Sequence, residues 1–326
     1  SFALGTQNHS TGTENYNVGV GYAAGNLITT GVKNVLLGGL AGDALTDADK
    51  NVAIGYLSLS ADTLGSHSVA IGNAALETQN FTTATSSYNV AIGSSAGNKI
   101  TTGVQNVILG ALAGDALTDA DRNAAFGYGA LTLDVLGSRS TAIGAITLAN
   151  QNFTTATESY NTAVGYAAGQ EVTTGIQNTI IGGLAGDALT TGSNNTVVGR
   201  DALGADTLGS RAVAIGDAAL QSQNFTTATE NYNVGIGYAA GANLTTSQSQ
   251  TLVGGLAGDA ITTGSENTAL GYKTLSANTT GFYNVAVGSR ALANMNVTDS
   301  SSTFNTAVGY NAGNDITTGI SNTIIG

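Results

Sequence analysis

Recurring carboxylates are the residues whose type and spacing could do chemistry in this sequence. One Asp returns at the same place in four long repeats, and in the first two repeats a second and a third Asp follow it. The complete sets are Asp43, Asp47 and Asp49, and Asp115, Asp119 and Asp121. Spaced carboxylates on a turn could bind Ca²⁺, although Asp is also an ordinary turn residue. We predict no metal centre and keep calcium at these six residues as the alternative.

The composition removes most catalytic chemistry. The 326 residues include no Cys and two His, His9 and His67, which do not recur, so little is left for nucleophilic or zinc chemistry. A glycosidase needs a pair of carboxylates, which here would have to break the repeat. The acidic residues instead follow the repeat or lie singly in turns. We therefore predict that the chain is not an enzyme and has no cofactor.

Charge and hydropathy limit the partners. A net charge of −12 with nine Lys plus Arg predicts no nucleic-acid binding and no attraction to an anionic membrane. No apolar stretch approaches the ~20 residues of a transmembrane helix, and no basic segment precedes an apolar run as in a signal peptide. The sequence therefore predicts no membrane insertion by this segment.

A short repeat must position all of these residues. The five-residue phrase Asn-x-x-apolar-Gly recurs in a 17/17/17/21 pattern of spacings, and one round of this pattern is a superrepeat. The superrepeats occupy 17–88, 89–160, 161–232 and 233–304, with partial copies at 1–16 and 305–326. Phrases begin at Asn17, Asn34, Asn51 and Asn89, for example, and their fixed glycines include Gly21, Gly38, Gly55 and Gly72. Counting Ser1–Gly5, we identify 19 phrases.

Each phrase has the pattern of a strand. Its second and fourth residues are mostly large or β-branched, and its third and fifth are mostly small, so the two sets lie on opposite faces. We expect the larger set to face the core and the small set, with its Gly, to pack against a close neighbour. Successive Asn side chains should stack as a hydrogen-bonded ladder. Turn glycines such as Gly31 and Gly65 suit a positive φ.

The period decides the fold class. Helical repeats run about 33 to 47 residues, and a helix would lose roughly 1 kcal/mol for each of these glycines. Seventeen residues suit one coil with two short strands and two turns. We therefore predict an all-β protein, a β-solenoid (parallel β-roll) of about 19 short coils, forming one continuous domain over residues 1–326.

The 21-residue coil carries four extra residues, which should loop out once per superrepeat. Loops on a rigid scaffold often carry recognition, so these are the candidate recognition loops. Their residues are Asn80, Phe81, Thr82, Asn152, Phe153, Asn224 and Phe225. Two other readings stay open: the Phe side chains tuck back onto the roll, or the Asn-x-Thr sequons are glycosylated.

The phrases resemble known repeats. Ser68–Gly72 and Asn89–Gly93 resemble the head repeats of trimeric autotransporter adhesins, the YadA-like left-handed β-roll, although the 17-residue and 21-residue coils are longer than the usual coils of those heads. Asn305–Gly313 resembles repeats of phage tail-fibre proteins. The resemblance implies a left-handed roll and a homotrimer. A monomeric solenoid whose small face lines a narrow interior is the alternative.

These resemblances define the expected function. We expect the structural or adhesive shaft or head of an extracellular trimeric fibre, most readily a phage tail fibre that attaches to a host glycan or protein. The alternatives are a bacterial surface adhesin, a self-assembling surface filament and a polysaccharide-degrading tail spike. Because the chain begins at Ser1 and ends at Gly326 inside a repeat, we expect a segment of a longer fibre.

Overall fold

Short parallel strands and turns build the whole described chain. The computed structural model describes residues 3–8, 12 and 14–326, and within them no helix forms. The chain divides into two compact units, Ser1–Tyr160 and Asn161–Gly326, and the division coincides with a superrepeat boundary. Each unit is a parallel β-solenoid, which confirms the predicted fold class.

In the first unit, eight three-residue strands stack in sequence order, one from the middle of each phrase. They are β1 (Val18–Val20), β2 (Val35–Leu37), β3 (Val52–Ile54), β5 (Val69–Ile71), β7 (Val90–Ile92), β8 (Val107–Leu109), β9 (Ala124–Phe126) and β11 (Thr141–Ile143). Equivalent residues lie opposite each other, as Val35 does to Val52. Two-residue strands pair on another side of the coil: β4 (Gly65–Ser66) with β6 (Thr85–Ser86), and β10 (Gly137–Ser138) with β12 (Thr157–Glu158).

The second unit stacks ten such strands in the same way. They are β13 (Thr162–Val164), β14 (Thr179–Ile181), β15 (Thr196–Val198), β17 (Val213–Ile215), β19 (Val234–Ile236), β20 (Thr251–Val253), β21 (Thr268–Leu270), β22 (Val285–Val287), β23 (Thr306–Val308) and β24 (Thr323–Ile325). The two-residue strand β16 (Gly209–Ser210) pairs with β18 (Thr229–Glu230). Equivalent residues therefore pair within each unit whether successive phrases are 17 or 21 residues apart.

The nineteenth phrase is not a strand. Ser1 and Phe2 lie outside the described residues, but Ala3–Thr6 forms a turn. The N–H of Leu4 donates to Ala24 O over 2.9 Å, as the N–H of Leu76 does to Ala96 O. Residues 3–8 therefore repeat residues 75–80, the later part of a 21-residue coil, and the described chain has 18 strand phrases.

The two faces of the strand are the reverse of the expectation. The third residue of each phrase points inward, and Leu36, Ala53 and Ile108 are fully buried. The larger second and fourth residues point outward, and Val20 is 59% exposed. A 17-residue coil encloses so little space that it admits one side chain per strand. The interior is therefore narrow and is lined by the third residues of the phrases, as in the alternative of a solenoid whose small face lines its interior.

The interior explains the four-coil superrepeat. In the coil that begins at Asn34, Leu36 and Leu45 fill the centre, and a Cβ on Gly42 would lie 2.8 Å from both side chains. In the next coil Ala53 is small, and Leu59 occupies the space instead. Large side chains thus alternate between positions from one coil to the next, as the close packing of a core requires.

The fixed glycines are required by two constraints. Gly38 has φ 141°, a conformation that L side chains rarely adopt, and a Cβ there would lie 2.4 Å from Gly55 O in the next coil. The turn glycines differ from the prediction. Gly31 does not have a positive φ; it is small because a Cβ would lie 2.4 Å from Ala48 O, while Lys33 carries the positive φ of 63°.

The Asn ladder is confirmed, and it also closes each coil. The N–H of Asn51 donates to Asn34 Oδ1 over 2.9 Å, and Asn34 Nδ2 donates to Ala48 O of its own coil over 2.7 Å. Asn17 and Asn89 make the same closure. Each buried amide therefore satisfies one backbone group of the next coil and one of its own coil.

Candidate functional site: the outward sheet face and the insertion loops

An apolar face runs along the outside of the stacked strands; we call it the outward sheet face. It consists of the second and fourth residues of the phrases, flanked in sequence by exposed tyrosines such as Tyr22, which is 67% exposed. Further exposed members in the first unit are Val18, Val20, Ile92 and Ile143, and in the second unit Ile181, Leu270, Val285 and Val308. Successive strand residues point to opposite faces, so a buried third residue forces its two neighbours outward.

This face is suited to protein contact. Its side chains are mostly Val, Ile and Thr, whose β-branching leaves little rotamer freedom to lose on binding. Monomeric soluble proteins rarely expose a contiguous apolar patch larger than a few hundred Å². An unbroken row of such residues along eight strands of one unit, and ten of the other, is therefore a candidate interface.

Charged and aromatic side chains form a cluster near the end of the second superrepeat. Arg139 Nε lies 2.8 Å from Glu158 Oε1, and Tyr160 Oη donates to Glu158 Oε2 over 2.5 Å. Arg139 also lies over the Tyr160 ring, 5.6 Å from its centre. The hydrogen bond from the Tyr160 hydroxyl lowers the pKa of Glu158, and Arg139 lowers it further. The same trio recurs in the second unit as Arg211, Glu230 and Tyr232.

The insertion loops are exposed, but their phenylalanines are not. Phe81 is 5% exposed, and Phe153 and Phe225 are similarly buried, so these side chains tuck back onto the roll, as in the alternative reading. The exposed part is Thr82–Ala84 with Asn80, and the later copies expose Asn152 and leave Asn224 half-buried. Recognition by these loops would fall to small polar groups.

A buried polar cluster lies beneath each insertion loop. Asp62 Oδ1 accepts the N–H groups of Gly65 (3.0 Å) and Phe81 (3.1 Å), and Asp62 Oδ2 accepts Gln79 Nε2 (2.6 Å). Burial raises the pKa of Asp62, and the hydrogen bond from Gln79 opposes this. Asp134 and Asp206 repeat the arrangement.

This cluster is not among the sequence predictions, although the repeat pattern carries a signal for it. Asp62 occupies the coil position that a core Leu holds one coil earlier, at Leu45. It returns once in each of the next two superrepeats, as Asp134 and Asp206, until Asn278 replaces it in the fourth. A carboxylate that recurs at a position where another coil has a core Leu indicates a side chain that is buried together with a polar partner.

The calcium candidates are engaged in coil-to-coil hydrogen bonds. Asp47 Oδ1 accepts the Thr30 hydroxyl over 2.6 Å, and Asp49 Oδ1 accepts the Val32 N–H over 2.8 Å. Asp119 and Asp121 make the equivalent bonds, and Asp115 accepts Thr132. Asp43 is half-buried with Oδ1 unpaired. Within residues 3–8, 12 and 14–326, no group of three or more His, Cys, Asp or Glu is arranged to hold a metal ion.

Comparison with known proteins leaves the geometry as the guide to function. No family model, no curated protein and no solved structure matches the chain. Across the part of the chain that the structure describes, no helix could cross a membrane. His67 lies against Tyr88, and His9 lies outside the described residues. Function is therefore inferred from the outward sheet face and the exposed loops.

Proposed function

We propose that this chain is a structural and adhesive segment of an extracellular, left-handed, trimeric fibre, in which three copies bury their outward sheet faces against one another. A phage tail fibre that takes part in host attachment is the form that the Asn305–Gly313 resemblance favours. The observation that carries the proposal is that the second and fourth residues of the strands face outward and that several apolar ones among them, such as Ile92, Ile143 and Ile181, are exposed, while the third residues lie in the core.

The size of the face supports association. A stable interface buries about 800 Å² per partner, which corresponds to about 80 Å² per coil over ten coils. Two β-branched side chains per coil supply an area of that order. Burial of apolar area, at about 25 cal/mol per Å², is the favourable term, and only the part that exceeds the cost of association appears as binding free energy. We expect three copies rather than two because Ser68–Gly72 resembles the head repeats of trimeric adhesins.

Attachment would use the surfaces that remain outside the trimer. Thr82–Ala84 and its copies project once per superrepeat from a rigid stack, a placement that suits repeated weak contacts with a host glycan or protein. A bacterial adhesin would use the same geometry. A self-assembling filament would instead polymerise without limit, and a tail spike would degrade the polysaccharide that it binds.

Sedimentation of the full chain tests the proposal. We expect a mass three times the 32.2 kDa of one chain. The triple variant I92K/I143K/I181K places charges on the outward sheet face and should sediment as a monomer. The matched control L27K changes an exposed Leu off this face, at a position where the second superrepeat has Lys99, and should remain a trimer. A wild-type chain that sediments as a single copy would overturn the trimer, and open-ended polymers would favour the filament.

A further inference from the structure

A basic pocket interrupts the acidic surface in the fourth superrepeat. It is lined by Lys273, Ser276, Arg290, Ala293, Asn294 and Asn314 and encloses about 280 Å³. Lys273 and Arg290 hold the same position in neighbouring coils, and the Arg290 N–H donates to Tyr272 O over 2.8 Å, which fixes the two coils in contact. Two cations, two amides and a hydroxyl therefore converge on one opening.

The other superrepeats provide internal controls for this pocket. In the third superrepeat the two cationic positions are Asp201 and Ala218, and the neighbouring Arg200 pairs with Asp201 and Asp217. In the first superrepeat the same positions are Leu57 and Ala74. The fold therefore does not require Lys or Arg at either place.

The two cations are not neutralised by ion pairs. No salt bridge of the described residues includes Lys273 or Arg290; the four present join other arginines to carboxylates. Two carboxylates lie nearby. Lys273 acts to lower the pKa of Asp259, although burial raises it more, and Asp315 accepts a long bond of 3.5 Å from Asn314 Nδ2. The pocket itself is lined by positive and neutral groups.

We infer that the basic pocket binds an acidic polysaccharide through one carboxylate or sulfate group. An ammonium and a guanidinium suit an oxyanion, and the Asn amides and Ser276 suit neighbouring sugar hydroxyls. Lys273 Nζ lies over the Tyr272 ring, 5.6 Å from its centre. Tyr310, exposed at the equivalent position two coils later and about 10 Å along the stack, offers a face for a sugar ring.

A nucleic acid fits this pocket less well than a polysaccharide. Nucleic-acid binding depends on neutralising many closely spaced phosphates, whereas the chain carries a net charge of −12 and places two unpaired cations here. An acidic polysaccharide presents its charges singly, separated by neutral hydroxyls. The inference deepens the proposed function, on which its biological meaning rests, by naming the class of host ligand.

The test measures binding of the full chain to polygalacturonate and to chondroitin sulfate oligomers, with neutral dextran and single-stranded DNA as comparators. The variant K273D/R290A copies the third superrepeat. The charge-matched control R122E/R211Y alters the net charge by the same amount and uses residues that the fourth superrepeat has at those positions, Glu266 and Tyr283. We expect K273D/R290A to weaken binding to at least one acidic oligomer tenfold or more, and the control to retain wild-type affinity.

Three outcomes would overturn the inference: no binding by the wild-type chain, equal loss in both variants, or DNA bound as tightly as the oligomers. A preference for polygalacturonate or for chondroitin sulfate identifies a carboxylate or a sulfate as the recognised group. Sedimentation of the same samples separates the two proposals. A trimer that binds no acidic oligomer contradicts the pocket alone, and a monomer that binds through Lys273 and Arg290 contradicts the trimer alone.

Discussion

At the residue scale, the glycine that ends each phrase is the strictest requirement of the fold. Gly55 has φ 134°, and a Cβ on it would lie 2.4 Å from Gly72 O. That contact is with backbone, which cannot move without separating two coils. Gly183 is a useful contrast, because a Cβ there would meet nothing within 4 Å and its φ is not in the left-handed region.

We predict that Gly55→Ala lowers the free energy of unfolding by about 2 to 6 kcal/mol, because backbone strain and overpacking each cost about 1 to 3 kcal/mol. Gly183→Ala, which copies Ala111 of the second superrepeat, should change it by less than about 1 kcal/mol. Urea unfolding followed by circular dichroism measures both. Equal effects of the two substitutions would contradict the role of coil-to-coil contact.

The buried aspartates make stability depend on pH. Burial raises the pKa of Asp62, Asp134 and Asp206, so the folded state favours their protonated form more than the unfolded state does. Their contribution to stability is therefore fully present below the unfolded pKa, about 3.9, and is lost as the pH rises through the folded pKa.

We predict that replacing the buried pairs by those of the fourth superrepeat flattens this dependence. Asn278 and Met295 stand there where Asp62 and Gln79 stand in the first, so D62N/Q79M keeps a pairing that the fold already uses. The free energy of unfolding, measured from pH 4 to pH 7, should fall less steeply in D62N/Q79M than in the wild-type chain. The exposed substitution T83A, which changes no ionisable group, is the control and should retain the wild-type slope, and an unchanged slope in D62N/Q79M would refute the assignment.

At the element scale, the period alone predicts the strands and their pairing. Each Asn-x-x-apolar-Gly phrase yields one three-residue strand because identical spacing brings identical positions together. The inward face could not be read from alternation, since that pattern separates two faces without saying which is enclosed. Coil closure decides it: Asn34 reaches across the interior to Ala48 O, and the side chain on its side of the strand, Leu36, is enclosed with it.

The insertion loop is a second feature whose existence, but not whose burial, could be predicted from the sequence. Its existence follows from the 21-residue coil that replaces a 17-residue one, but the burial of Phe81 depends on a partner distant in sequence. Leu64 donates its N–H to Phe81 O and accepts the Thr85 N–H, so the chain leaves the coil and returns between those two bonds. Thr82–Ala84, between those two bonds, is exposed to solvent, while the buried Phe81 donates its N–H to Asp62.

We predict that this loop tolerates added residues and that the strand does not. Inserting Gly-Gly-Ser between Thr83 and Ala84 should shift the melting temperature by no more than about 2 °C, because no coil contact is displaced. The same insertion between Ala53 and Ile54 reverses the facing of the residues that follow and should unfold that coil. Thermal melts with limited proteolysis distinguish the two. Comparable destabilisation by both would show that the loop is part of the packed coil.

At the scale of the whole molecule, stability is a sum of nearest-neighbour contacts. Every strand pair among the described residues of the first unit joins neighbouring coils, so no strand pairing there links the two ends of the unit directly. The absence of Pro fits such a stack, because backbone N–H groups are consumed in the ladders between coils. Repeat proteins built in this way can open locally.

We predict that Leu36→Ala, which removes about 2 to 5 kcal/mol of core packing, acts locally along the first unit. Hydrogen exchange should accelerate most in β1, β2 and β3, which contain or neighbour Leu36, and least in β9 and β11, which lie several coils away. The exposed substitution Thr83→Ala is the control and should leave all five strands protected. Equal acceleration from β1 to β11 would mean that the unit unfolds as one cooperative body. A graded profile would mean that each coil is held mainly by its two neighbours, so that damage to one coil of the unit stays confined.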